Sequence, residues 1–329
     1  MTSKPFLVIF GIFAGLLAGI VLFEAVLRLN GEYDIQSYKI DCSLGRDAAK
    51  YFVPSNDIFL GWEHNKKLNN CNSFGNYDKE YRLKKDKETF RILVLGDSIT
   101  EAGGYVKGLE AMLAGSGLGK KFEVWNCGVG CYGLKQYAAY IVNRAYKFDP
   151  DMVIIGFCMN DLDDFSLVLL TEKNDISAYC FPALSKIQNI ESFSVNRYLL
   201  FHSYAYRFIM FRFLGTGNPG GSCRADASSV DMLVKYLKKR NVPLVAVLIP
   251  YLKSSYDAGE KKDYLLLKEM LAGRDVKCLD LHGSFLDIDD VAWRDRKDDF
   301  IHPSAKGHRL IAEKLYEYLM HNKIYWFRD

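Results

Sequence analysis

Hydrophobic and polar positions divide the chain into three stretches. Residues 6–23, FLVIFGIFAGLLAGIVLF, run for 18 residues without a charge. As a helix this run spans about 27 Å, close to the hydrocarbon thickness of a bilayer. EAVLRL continues the helix, with Glu24 and Arg28 able to reach the interface. A secretory signal would have a shorter apolar run followed by a small-x-small cleavage site. No good site follows Phe23, so an uncleaved single-pass anchor over residues 5–28 is expected, behind a short tail, 1–4. Residues 29–89 are polar and irregular. They read as a membrane-proximal connecting region that packs on the main domain, with Trp62, Tyr77 and Tyr81 to bury.

From residue 90 the pattern changes again. FRILVLG (90–96), FEVWNCGV (122–129), DMVIIGFC (151–158), PLVAVLIP (243–250) and VKCLDL (276–281) are nearly continuous apolar runs. Such runs suit parallel strands buried on both faces. Helical segments fall between them, at about 104–115, 134–147, 228–240, 260–272 and 304–321. Alternating strand and helix predicts an α/β fold, a parallel sheet with helices on both sides. Residues 161–227 break the alternation and hold no clear strand; they read as an insertion or lid. Within it NRYLLFHSYAYRFIMFRFLG (196–215) reads as a helix covering the core or a cleft, with a membrane-facing or acyl-binding surface as the alternative. A short tail, 323–329, follows the domain.

Charge adds little. Lys and Arg number 43 against 40 Asp and Glu, for a net charge of +3. With no basic stripe interleaved with aromatics, a nucleic-acid partner is not expected. Lys4 precedes the apolar helix and Arg28, Lys39 and Arg46 follow it, so flanking charges do not orient it. Gly11, Gly15 and Gly19 recur every four residues, a spacing that lets two membrane helices approach, so a homodimer through this stripe is one expectation. Of eight cysteines, Cys42 with Cys71 and Cys180 with Cys223 lie in loop-like segments and are candidate bridges in an exported domain. Cys127, Cys158 and Cys278 sit in or beside apolar strands and read as small buried hydrophobes. Cys127, Cys131 and Cys158 match no common zinc spacing, so neither metal nor cofactor is expected.

The chemistry is expected at the carboxyl ends of the strands, where open parallel sheets bind ligands. The first strand ends in Gly96, Asp97 and Ser98; the second in NCGVGCYG, 126–133; the third in CMND, with Asn160 and Asp161. DDFIHPSAKGHRLIA places Asp299 and His302 just before the last helix. Gly-Asp-Ser alone is weak, expected in about one chain in ten of this length. The set is stronger. A serine hydroxyl needs a base, a histidine supplies it, and a carboxylate fixes the histidine tautomer. Ser98, His302 and Asp299 fill these roles, with Asn160 and the 128–131 turn as candidate oxyanion donors. His308, six residues beyond His302, reads as a helix-surface residue.

These blocks resemble the SGNH, or GDSL-type, hydrolases over roughly residues 90–320. GDSIT is similar to the first block, NCGVGCYG to the second, FCMND to the third and DFIH to the fourth. The resemblance implies a three-layer α/β/α sandwich with a flavodoxin-like parallel sheet over residues 90–322. It also implies Ser98–His302–Asp299 catalysis, oxyanion donors at Ser98, Asn160 and the second-block turn, and Asp97, Asn126 and Gly128 as support. The family pattern Asn-x-Gly-x-x-Gly ends here in Cys131, so the turn donor is Cys131 or a shifted Gly130. In the third block Cys158 stands where the family has Gly. The apolar helix, LGWEHN and NSFGNYDKEYRL resemble membrane-anchored members that modify cell-surface glycans. A membrane-anchored esterase with an extracytoplasmic domain is therefore expected, deacylating, in one form O-deacetylating, a carbohydrate. The alternatives are a glycan O-acyltransferase, a lipid or thioester acyl hydrolase, and a non-catalytic glycan-binding scaffold.

Overall fold

The computed structural model describes residues 3–30, 51–164 (apart from 56, 58, 59, 61 and 69), 167–170, 176–179, 198–199, 202–209, 223–224, 227–285 (apart from 275) and 291–323. Five parallel strands form the central sheet: β3 (Thr89–Gly96), β4 (Lys121–Asn126), β5 (Met152–Phe157), β10 (Leu244–Leu248) and β11 (Lys277–Asp280). Their spatial order is β4-β3-β5-β10-β11. This is the flavodoxin-like winding, whose reversal point lies between β3 and β5.

Alternation along the strands explains the layers. Leu93, Leu95, Val153, Ile155, Ala246 and Leu248 join one core with helices α4 (Leu134–Asn143), α6 (Ala227–Lys239) and α7 (Ala258–Ala272). Ile92, Val94, Ile154, Val245 and Val247 join the other with α3 (Gly104–Ala114) and α8 (Ala305–His321). The period of two sends neighbouring residues to opposite faces, so both faces must be apolar. The result is a three-layer α/β/α sandwich.

Residues 51–89 are bound to this sandwich. β1 (Phe52–Pro54) pairs antiparallel with β2 (Trp62–His64). Tyr81 stacks on Trp125 at 4.3 Å and donates its hydroxyl to the Val124 carbonyl at 3.0 Å. The Asn126 N–H donates to Asp78 Oδ2 at 2.7 Å, so this segment covers the exposed edge of β4. Arg91, a charge in the middle of an apolar strand, is wholly buried but paired. It donates to Glu123 at 2.9 Å and to the carbonyls of Arg82 and Leu83, as a buried guanidinium requires.

Helix α1 (Ser3–Asn30) is long and apolar enough to cross a membrane, and its apolar side chains from Phe6 to Leu22 are exposed. Its last turns are not exposed throughout. Leu27 is buried, Phe23 meets Phe208 edge-on at 5.2 Å, and the Glu24 carboxylate accepts from Ser203 Oγ and the N–H groups of Tyr204 and Ala205. These lie at the start of α5 (Tyr204–Ile209).

Three expectations change. The second strand stops at Asn126 rather than 129, because Asn126 Oδ1 turns back to accept the Gly128 N–H at 3.0 Å. The interval 161–227 does contain strands: β7 (Leu167–Leu170) pairs with β8 (Ile176–Tyr179), and β6 (Asp163–Asp164) with β9 (Cys223–Arg224). All are antiparallel and at most four residues long, too short for the long buried runs that betray the main sheet. Third, His308 is not on the surface. It is 8% exposed, in the face of α8 that packs on α3, in space left by Gly104, where an added Cβ would lie 2.6 Å from the His308 ring. Of the 196–215 stretch the described helix is α5, and the rest lies outside the described residues apart from 198–199 and 202–203. Cys71 carries a free thiol; its candidate partner Cys42 and the pairing through Cys180 lie outside the described residues.

Candidate active site

Two glycines open the end of the sheet. Gly96 of β3 lies beside Gly156 of β5, and a Cβ on Gly96 would come within 1.9 Å of Thr100 Oγ1. The short helix α2 (Ser98–Glu101) can therefore fold directly over the strand end. Asp97 caps it, accepting the Ile99 N–H at 3.0 Å. Ser98, the first helical residue, is thereby held at the rim.

The predicted partners meet there. Ser98 Oγ lies 2.8 Å from His302 Nε2, and His302 Nδ1 lies 2.8 Å from Asp299 Oδ2. A carboxylate accepts only, so Nδ1 carries the hydrogen and Nε2 is left to accept from Ser98. The other Asp299 oxygen accepts the N–H groups of Ile301 and His302, each at 3.0 Å. Burial pushes the Asp299 carboxyl up, but the hydrogen bonds from the His302 backbone and ring outweigh it and hold it below the ordinary carboxylate value. This is the arrangement that can deprotonate a serine and return the proton to a leaving alcohol.

The second block packs against Thr100 and Glu101 of α2, and Asn160 of the third block meets Asp97. Asn126 braces the turn at two points: Oδ1 accepts from Gly128, and Nδ2 donates to the Glu101 carbonyl at 3.1 Å. A Cβ on Gly128 would lie 2.4 Å from the Glu101 nitrogen, so this glycine lets the turn touch α2. The Gly130 N–H is engaged by Glu101 Oε2 at 2.5 Å. Cys131 has a φ of +64°, in the left-handed region, which costs a residue with a Cβ about 1 kcal/mol. That backbone state favours glycine.

Asn160 donates Nδ2 to Asp97 Oδ2 at 3.0 Å, while its Oδ1 is buried without a hydrogen bond. Burial pushes the Asp97 carboxyl up, against the pull of the Asn160 and Ile99 donors. Burial, followed by the neighbouring Asp97 charge, raises Asp161 well above the ordinary range; its Oδ2 accepts the Cys158 N–H at 2.9 Å. Burial raises Cys127 to about 12 and Cys158 well above its ordinary value. Among the described residues no group of three His, Cys, Asp or Glu could hold a metal ion.

A groove of about 900 Å³ opens at Ser98 and His302 and runs between α3 and α8. Gly104, Gly108, Ala111 and Ala312 line it with small side chains, and Glu101, Asp295, Arg309 and Glu313 add charge. Glu101, the groove residues and His308 were not singled out as functional from sequence. Only Glu101 carried a usable signal, since it follows Ser98 by three residues and so shares its helical face.

Fold and site together define a serine hydrolase of the α/β class. The family model of the GDSL-like lipase/acylhydrolases matches residues 92–315, and the chain belongs to this family, the SGNH or GDSL serine hydrolases acting on ester bonds. No curated protein matches the chain. Among solved structures it is similar to the acetyl xylan esterase AlAXEase, with 15% identity, a TM-score of 0.43, and coverage of 69% of this chain and 98% of that one. An acetyl xylan esterase from Geobacillus stearothermophilus gives 15%, 0.45, 70% and 94%, and the lipase/acylhydrolase from Enterococcus faecalis gives 14%, 0.43, 71% and 96%. Likenesses this distant say nothing of the substrate.

Proposed function

We propose that the protein deacylates an acylated carbohydrate through an acyl-enzyme on Ser98. His302 acts as the base, Asp299 orients it, and the Ser98 and Cys131 N–H groups with the Asn160 amide receive the oxyanion. Cys131 is preferred to Gly130 because Glu101 already takes the Gly130 N–H. The observation that carries this reading is the hydrogen-bonded series Ser98–His302–Asp299 opening on a groove with four charged side chains. Charged groups suit a hydroxyl-rich alcohol, whereas burying them against a long acyl chain would cost their hydration.

The same reading takes α1 as an uncleaved anchor. Its support is Glu24 and Arg28, which bind residues 202–205, so the end of the apolar helix is built into the folded chain. Fractionation tests this part: the full chain should stay in carbonate-washed membranes at undiminished mass, and a shortened soluble form would refute it.

For the chemistry, wild type and Ser98→Ala are compared on chromogenic esters of increasing chain length and on an acetylated polysaccharide. Ser98→Ala should lose at least about 10³-fold in rate, and acetate should leave the polysaccharide. Equal rates for the two proteins would remove Ser98 from the mechanism. Preference for long acyl chains would remove the carbohydrate.

A further inference from the structure

The second-block turn, which packs against Thr100 and Glu101 of α2, is held by residues far from it in sequence. Trp62, in β2, is fully buried, and its indole Nε1–H donates to the Gly130 carbonyl at 3.0 Å. The Trp62 carbonyl in turn accepts the Tyr132 hydroxyl at 2.6 Å. On the other side, the Gly130 N–H is held by Glu101 Oε2, which also meets His64 Nε2 at 3.2 Å. His64 is buried between Phe52 and Tyr77, and its Nδ1 faces the Gly75 carbonyl at 2.9 Å. A carbonyl only accepts, so Nδ1 carries a hydrogen and orients the ring with Nε2 towards Glu101.

The Gly130 carbonyl and the Cys131 N–H belong to one planar, trans peptide group, so they point in opposite directions. Whatever fixes the carbonyl fixes the N–H. Cys131 sits in a left-handed conformation, and such residues persist only where their surroundings over-determine them.

We propose that Trp62 is a positioning residue for the oxyanion hole: its indole N–H, by holding the Gly130 carbonyl, sets the direction of the Cys131 N–H. The segment before the sandwich is then part of the catalytic machinery, although it touches no reacting atom. This rests on the roles given above to Ser98 and Cys131.

The test is Trp62→Phe in the full chain in detergent, assayed on para-nitrophenyl acetate beside Ser98→Ala. Loss of the indole N–H should lower kcat about ten- to a hundredfold, somewhat less than losing an oxyanion donor outright. KM should stay near wild type, because the acetyl ester's ground state does not use the oxyanion donor. A kcat close to wild type in the folded variant overturns the proposal, and so does a raised KM with kcat unchanged. If Trp62→Phe fails to unfold cooperatively, β-(3-benzothienyl)alanine at position 62 decides, since it keeps the bicyclic shape without the N–H. Wild-type kcat in that protein overturns the proposal; a lowered kcat with unchanged KM supports it. An active Ser98→Ala would sink the parent reading, whereas an inactive Ser98→Ala with a fully active Trp62→Phe sinks only this one.

Discussion

Acid should destabilise this protein through His308, at a pH where an ordinary exposed carboxylate is still ionised. The imidazole is 8% exposed, its Nδ1 has no hydrogen-bond partner, and it lies against Tyr105 with ring centroids 6.2 Å apart. Burial, only partly offset by Asp295 and reinforced by His302, lowers its pKa from 6.5 to about 4. The sign follows from proton linkage. Below pH 6.5 the unfolded chain takes up a proton that the folded chain refuses, so stability present above 6.5 is lost as pH falls towards 4. The full difference is about 3 kcal/mol, with about 2 kcal/mol lost by pH 5. Denaturant unfolding of wild type and His308→Leu, followed by tryptophan fluorescence from pH 8 to 4.5, isolates the effect. Leucine will cost something at pH 8, but the gap between the two proteins should close, or reverse, by about 2 kcal/mol at pH 5. Parallel pH profiles would show that His308 does not remain neutral in the folded chain, and would refute the reasoning.

Asp161 works in the opposite direction. Its folded pKa is raised, so its contribution is full below the ordinary value of 3.8 and is lost as pH rises through the folded value. Asp161→Asn keeps an acceptor for the Cys158 N–H and should raise the melting temperature at pH 7.5 but not at pH 4; a drop at pH 7.5 would count against a strained carboxylate. Gly128→Ala would set a Cβ against backbone atoms of Thr100 and Glu101, at 2.6 and 2.4 Å. It should cost about 1–3 kcal/mol in denaturant titrations and reduce ester turnover; a stable, fully active variant would show that the turn can shift freely. Asp299→Asn keeps the fold but presents the wrong partner to His302 Nδ1, and should lower kcat by about 10⁴-fold with little change in melting temperature; near wild-type kcat would remove Asp299 from the mechanism.

Much of the architecture was legible in residue order because it depends on short-range physics. The strands announced themselves as apolar runs, since a strand covered on both faces cannot carry polar side chains without partners. Asp299 and His302 were legible because three residues suffice to bring that carboxylate to Nδ1. Ser98 could be placed because a parallel sheet gathers strand ends at one rim. What only the tertiary structure decided is which distant groups meet at that rim. Ser98 finds His302 across 204 positions, and Trp62 finds Gly130 across 68. Nothing in the spacing of LGWEHN marks its indole as a partner of the second block. Likewise Glu101 claims the Gly130 N–H, and the missing side chain of Gly104 makes room for a buried His308. Hydrophobic periodicity reports which face of an element is buried. It does not report which polar atom on another element will satisfy a given donor, because that is settled only when the layers pack.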